Sequence, residues 1–236
     1  MAEIEIIPTN TCPPDYSELA RRSESFSTFA PVIQLDLDDG VFAPVVSWPY
    51  HKGQWEEVET MAKGGEKLPF SETMKYETHL MVQEPVRIGE MLAQMGCARI
   101  IAHREVFKDA QAVTNAFSKW RDAGASEFGL ALLIDTPLSV LDGCVEDCDV
   151  VQLMSIPTLG KQGAPYDSRV IGRIEELHKR YPELIIAVDG GVSEKNIADL
   201  VRAGARRFGI GSAISKAANP ADSYARIKAL AESAIV

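Results

Sequence analysis

Cysteine is scarce in this 236-residue chain, and no two of Cys12, Cys97, Cys144 and Cys148 are separated by the two residues of a zinc knuckle or a CxxC redox pair. Core filling is the expected use of these thiols, in a reducing compartment. Long apolar runs are missing too: none approaches the roughly 20 residues that span a bilayer. The opening MAEIEIIPTN has two acids and no basic region ahead of its apolar residues. It does not read as a signal peptide, and a cytoplasmic location is expected. Positive charge is in deficit, with 24 Lys+Arg against 34 Asp+Glu and a net charge of -10. That balance repels nucleic-acid backbones and anionic membranes, so neither is an expected partner. An anionic small molecule must instead be met by a local set of N–H donors. Low-complexity segments and internal repeats are absent.

What is present is alternation. Short apolar runs occur at Ile4 to Pro8, Val32 to Asp36, Tyr76 to Met81, Arg99 to His103, Phe128 to Ile134, Val150 to Met154, Leu184 to Asp189 and Arg207 to Gly211. Helical patterns lie between or after them at Asp15 to Ser25, Pro85 to Met95, Lys108 to Ala123, Pro137 to Cys144, Ser168 to Tyr181, Asn196 to Ala203 and Pro220 to Ala234. Pro85 and Pro137 stand at first-turn positions, and Gly96, Gly124 and Gly204 stand just past helix ends. Eight strands alternating with helices predict an α/β fold, a (β/α)8 TIM barrel. With 46% hydrophobic residues, positions 1–236 make one barrel domain. The connection from 41 to 74 is longer than an ordinary crossover. It holds a predicted helix from Gln54 to Lys63 and two tryptophans, Trp48 and Trp55, expected either at the mouth of the site or exposed for a subunit contact.

Two glycine turns carry most of the functional signal. Ile185 to Gly191 reads IIAVDGG and Phe208 to Ser212 reads FGIGS, each an apolar strand that ends in backbone free of side chains. In a barrel of this type, the ends of the last two strands form a phosphate cradle of N–H groups, here at Gly190, Gly191, Gly211 and Ser212. Asp189 at the lip of that cradle would repel a phosphate, so chemistry explains it better than binding does. On the second strand, Gln34, Asp36 and Asp38 share one face while Ile33, Leu35 and Leu37 share the other. This places the polar set inside the barrel, where a group costs roughly 1–3 kcal/mol if unsatisfied. The alternative is that these groups pair with one another or with a cation at the barrel floor. On the third strand, Glu77, His79 and Met81 share a face. Asp36, His79 and Asp189, with the Gln34 amide oxygen added, make a candidate site for a divalent metal, whether Mg, Mn, Zn or Fe. His103 and Glu105 are candidate supporting partners, whereas His51 and His178 have no such company and are expected to face solvent.

The segments QLDLDDGVFAP, THLMVQEP, IIAHREV, VVQLMSIPTLGKQ, IIAVDGGVSEKNIADLVRAGA and GIGSAI resemble, in the same order, the strand-end motifs of the ribulose-phosphate 3-epimerase family. The resemblance runs from about Ile6 to the C-terminal helix and is strongest after Asp149. It implies a barrel of the ribulose-phosphate-binding type, a divalent metal, and epimerisation at carbon 3 of D-ribulose 5-phosphate, giving D-xylulose 5-phosphate, or of a close analogue. It further implies that Asp36 and Asp189 are the catalytic acid/base pair and His79 a metal ligand. Gly190, Gly191, Gly211 and Ser212 match phosphate-binding positions, and Met81 and Met154 match methionines that line the reaction centre. A homo-oligomer is also expected.

The chain departs from that pattern at named places. Gln34 stands where the family has a metal-binding histidine, and Asp38 where it has a methionine. In loop six an asparagine is missing, and Pro157 to Gln162 keeps part of a glycine-rich clamp, with Gly160 retained for phosphate and Lys161 adding a positive charge. Leu133-Ile134 replaces asparagine-proline, and Thr9 stands about where a substrate-lining serine is expected. Gln34 is expected to weaken the preference for zinc more than that for magnesium or manganese, and Asp38 to compensate as a ligand if it turns inward. Three readings stay open: the epimerase, a sugar-phosphate-binding barrel without catalysis that serves as a regulatory or partner subunit, and another phosphate-binding barrel enzyme.

Overall fold

The computed structural model describes residues 3–160 and 163–235. Eight parallel strands close on themselves in chain order: β1 (Glu5–Thr11), β2 (Val32–Asp38), β3 (Lys75–Met81), β4 (Arg99–His103), β5 (Glu127–Leu132), β6 (Val150–Met154), β7 (Ile185–Asp189) and β8 (Arg207–Ile210). Around them lie α1 (Tyr16–Ser27), α2 (Gln54–Gly64), α3 (Pro85–Gln94), α4 (Ala110–Asp122), α5 (Arg169–Arg180), α6 (Ile197–Ala203), the short α7 (Ser212–Ser215) and α8 (Pro220–Ser233). Asp15, Asp109 and Asn219 start α1, α4 and α8 by accepting backbone N–H groups of the first turn, and Pro85 and Pro220 occupy positions that need no donor. No helix among the described residues is long and apolar enough to cross a membrane.

Alternation along each strand sorts the side chains. Ile33, Leu35 and Leu37 of β2 pack outward into the core shared with the helices, while Gln34, Asp36 and Asp38 point to the barrel axis, all buried. Ile101, Ala131, Val150 and Ala187 form a small apolar layer inside the barrel. Below it is an ionic floor. Arg207, 2% exposed, donates to Glu5 at 2.7 Å, to Glu77 at 3.1 Å and also to Glu127, while Arg99 reaches Glu5 at 2.9 Å and Glu127 at 3.0 Å. The barrel-floor cations are therefore arginines, and they engage glutamates of the strand beginnings. They leave the Asp36 set at the opposite end untouched.

Three sequence expectations are corrected. The helix expected at Pro137 to Cys144 is replaced by two 3₁₀ turns, Leu138–Leu141 and Val145–Asp147. Its buried residues Leu138, Leu141 and Cys144 recur every third position, the 3₁₀ period, and Gly143 at φ +80° interrupts any longer helix. The first strand runs past Pro8 to Thr11, with Thr9 to Thr11 pairing with Gln34 to Asp36. Trp48 is not exposed: it is fully buried against Tyr16, and its indole N–H donates to Glu57. The 41–74 connection still reaches the mouth, through Phe42, Ala43 and Val45.

Arg207→Leu is expected to lower stability by about 3–5 kcal/mol, because Glu77, buried beside it, would lose its closest cation. Urea unfolding measures this; a loss below about 1 kcal/mol would mean that the floor network contributes nothing net.

Candidate active site

Register brings the candidate residues to one level at the C-terminal end of the barrel. Thr11, Asp36 and His79 are paired neighbours across β1, β2 and β3, and Met154, Asp189 and Gly209 are paired neighbours across β6, β7 and β8. The two carboxylates meet over Gln34, one layer below. Its Nε2 donates to Asp36 Oδ1 at 2.8 Å and to Asp189 Oδ2 at 2.9 Å. His79 Nδ1 lies 3.3 Å from Asp189 Oδ2 and 3.6 Å from Asp36 Oδ1. Asp36, His79 and Asp189 thus present ligand atoms that all lie within 4.8 Å of one another.

Buried like charges at such a separation need neutralising. Burial raises the Asp36 carboxyl above its ordinary range, with the Asp189 charge adding to the effect and His79 opposing it. Burial alone would lower the His79 pKa, but the Asp189 and Asp36 carboxylates outweigh it and push the imidazole up to about 10. Two buried atoms at this spot, His79 Nδ1 and Gln34 Oε1, have no hydrogen-bond partner. Where no cation is bound, Nε2 faces the carboxylates; a half-turn of the amide about its last bond exchanges the two ends and directs Oε1 there instead. Two carboxylates, an imidazole nitrogen and an amide oxygen then converge, a donor set that fits a divalent cation. Gly209 makes room for this layer: a Cβ there would lie 3.1 Å from both Asp189 Cγ and Gln34 Oε1.

Asp38 takes another course. It lies outside the ligand group, and its Oδ2 accepts the Cys12 thiol at 2.7 Å while Oδ1 is buried without a partner. Burial pushes its carboxyl up to about 7 and pushes the Cys12 thiol up as well. Cys12 packs against the apolar cluster that includes Met81 and Met154 and also bonds to Asp38, with its backbone at φ +46°. Of the remaining cysteines, Cys97 and Cys144 are buried and Cys148 is half-buried, and all four are free thiols. His103 and Glu105 do stand behind His79, with His79 Nε2 and His103 Nε2 3.1 Å apart and His103 Nδ1 3.2 Å from Glu105 Oε2. His51 is exposed, and His178 is half-buried against Gly204.

The cleft above the carboxylates runs to Gly190, Gly191, Gly211 and Ser212, with Gly160 on its far wall. At Gly191, φ is +66° and a Cβ would come within 3.0 Å of Tyr166, so only glycine keeps that wall open. Ser155 holds the turn by donating from Oγ to the carbonyls of Asp189 and Gly190. Met81 and Met154 line the cleft and pack with Ala43, Ile156 and Leu159 into an apolar rim. Lys161 and Gln162, singled out for the clamp, lie outside the described residues. Thr9 is buried one layer below the cleft and shares a hydrogen bond with Thr11, which lines it.

Thr11, Gly209 and Gln152, whose Nε2 lies 3.5 Å from Asp189 Oδ2, were not picked out from sequence. Each sits on the inward face of its strand, two residues from an inward neighbour such as Thr9, Arg207 or Met154, so alternation was the signal that could have found them.

A sequence model described as the ribulose-phosphate 3 epimerase family matches residues 9–215. The ribulose-phosphate 3-epimerase of Schizosaccharomyces pombe is 33% identical over 146 residues, 61% of this chain and 61% of that protein. That of Escherichia coli is 33% identical over 147 residues, 60% of this chain and 63% of that one. The Aquifex aeolicus protein of the same name is 28% identical over 210 residues, 87% of each chain. The chain thus spans about three fifths of the first two relatives and most of the third. Among solved structures, 3-keto-L-gulonate-6-phosphate decarboxylase from Vibrio cholerae covers 99% of both chains with a TM-score of 0.70 at 8% identity. The 3-hexulose-6-phosphate synthase from Salmonella typhimurium covers 98% of this chain and 100% of its own, with a TM-score of 0.65 at 14% identity. At these identities the likeness is one of fold.

The fully buried His103 generates a prediction. Burial, opposed by Glu105, lowers its pKa from 6.5 to about 4, so unfolding takes up a proton there between those values and stability falls as the pH drops through that window. Urea unfolding at pH 7 and pH 5 should show a smaller acid loss in His103→Gln than in the unmodified protein; equal losses would remove His103 as a source.

Proposed function

The chain belongs to the ribulose-phosphate 3-epimerase family, and from that premise we propose that it inverts carbon 3 of a ketopentose phosphate, D-ribulose 5-phosphate in the first instance. The observation that carries this reading is the single Gln34 amide within hydrogen-bond reach of both Asp36 and Asp189. Two acid/base groups address one point, in a cleft whose far end is built of glycine turns suited to a phosphate.

Inversion next to a carbonyl needs a proton taken from one face of the carbon and another delivered to the opposite face. One aspartate removes the proton; the electron pair of the broken C–H bond moves onto the neighbouring carbonyl, giving an enediolate. The other aspartic acid protonates carbon 3 from the opposite side as the carbonyl reforms. In one direction of the reaction one of the two aspartates starts protonated and the other ionised. The reverse reaction exchanges the roles. Backbone N–H groups at Gly190, Gly191, Gly211 and Ser212 anchor the phosphate and fix the reacting carbon. Met81, Met154, Ile156 and Leu159 keep water from the reacting face.

Asp36, His79, Asp189 and the Gln34 amide oxygen would hold a divalent cation, which supplies several kcal/mol of stabilisation for negative charge developing on the substrate oxygens. Three oxygens and one nitrogen favour Mg²⁺ or Mn²⁺ over Zn²⁺. The replacement of a histidine ligand by Gln34 favours the reading of a sugar-phosphate-binding barrel without turnover, and one experiment separates the two.

Incubation with ribulose 5-phosphate in heavy water with each divalent metal is expected to place deuterium at carbon 3. Asp36→Asn or Asp189→Asn is expected to slow interconversion about 10²–10⁴-fold, while inorganic phosphate binds as before. Phosphate binding by the unmodified protein without exchange in any metal would overturn catalysis in favour of binding alone.

A further inference from the structure

The hydrogen-bond chain behind His79 has a direction that can be read from its far end. Glu105 Oε1 accepts the Leu133 backbone N–H at 2.8 Å and the Thr136 hydroxyl, and Oε2 faces His103 Nδ1 at 3.2 Å. A carboxylate only accepts, so the His103 proton sits on Nδ1. His103 is completely buried beside the Phe42 ring, and one proton on Nδ1 satisfies its pairing with Glu105 and leaves a lone pair on Nε2. That lone pair lies 3.1 Å from His79 Nε2, which must then be the donor. What remains to His79 is Nδ1, the atom that faces Asp189 and Asp36 and has no hydrogen-bond partner.

We infer that His103 and Glu105 are positioning residues that hold the His79 proton on Nε2, so that Nδ1 is the nitrogen offered to the cation. The inference rests on the cation reading of the site given above. It also assigns a use to Leu133: its N–H fixes which oxygen of Glu105 is left for His103.

This makes Glu105→Gln a directional test. The Leu133 N–H still requires an acceptor, so the new amide keeps its oxygen there and turns its NH₂ toward His103 Nδ1. The His103 proton moves to Nε2, faces the His79 Nε2 proton, and drives the latter to Nδ1, where it blocks ligation. His103→Gln, by contrast, can accept from His79 through its oxygen and donate to Glu105 through its nitrogen, preserving the direction.

Mn²⁺ titration by calorimetry is expected to show affinity weakened about 10–100-fold in Glu105→Gln and retained in His103→Gln, with circular dichroism unchanged. Long-range ¹H–¹⁵N spectra of the unmodified, metal-free protein are expected to place the His103 proton on Nδ1. Equal Mn²⁺ affinity in Glu105→Gln and the unmodified protein, or a His103 proton found on Nε2, overturns the inference. If Glu105→Gln does not fold, the spectrum and His103→Gln decide. An unmodified protein that binds no Mn²⁺ defeats the cation reading instead, and the spectrum still judges the relay on its own.

Discussion

Two carboxyl groups that would repel one another are held within reach of a single amide nitrogen, and the rest of the structure is arranged to make that tolerable. Asp36 and Asp189 come from strands 153 residues apart in the chain, yet Gln34 donates to both. In a low-dielectric interior such a pair persists only if a proton, a cation or a set of donors neutralises it. Where no cation sits between them, the two carboxylates draw the His79 imidazole toward its charged form, and a cation held there takes over that role. His103 and Glu105 stand behind it in a buried chain that ends on the backbone of Leu133.

The barrel makes this arrangement rigid. Its lower end is closed by the glutamates and arginines around Arg207, and its middle by small apolar residues, so the upper layer cannot sink and rearrange. Charge is segregated along the axis: arginine-paired glutamates at the strand beginnings, aspartates with a histidine at the strand ends. The glutamates of the first set are each paired with an arginine, and that set is structural. The second set lines the open cleft with Asp36 and Asp189, which marks it as the reactive end.

Much of this was legible in the sequence because parallel strands impose a two-residue period. That period put Gln34, Asp36 and Asp38 on one face and His79 with Met81 on another strand's inner face, and the glycine turns after β7 and β8 marked the phosphate end. What escaped depended on contacts that periodicity does not encode. Trp48 looked available for a partner, yet it folds back onto Tyr16 and Glu57. Asp38 shares the inward face of Asp36 but is drawn off by the Cys12 thiol, through a backbone conformation at Cys12 that no local pattern announces. The β5–β6 crossover carries helix-like signals but spaces its buried residues by three, too tightly for an α-helix. Thr11 was missed because Pro8 was read as the end of a strand that in fact continues for three more residues.

The departures from the family pattern fall on several walls of the site: Gln34 and Asp38 on β2, Leu133-Ile134 after β5 and the altered clamp of loop six. The paired aspartates Asp36 and Asp189 stand between them. The central claim is that Asp36 and Asp189 act from opposite faces of one carbon. Solvent exchange in the two single variants, assayed separately with ribulose 5-phosphate and xylulose 5-phosphate in heavy water, tests it most directly. Asp36→Asn should exchange carbon 3 of one epimer only, and Asp189→Asn of the other only, with neither interconverting them. Exchange of the same epimer in both variants would contradict the account.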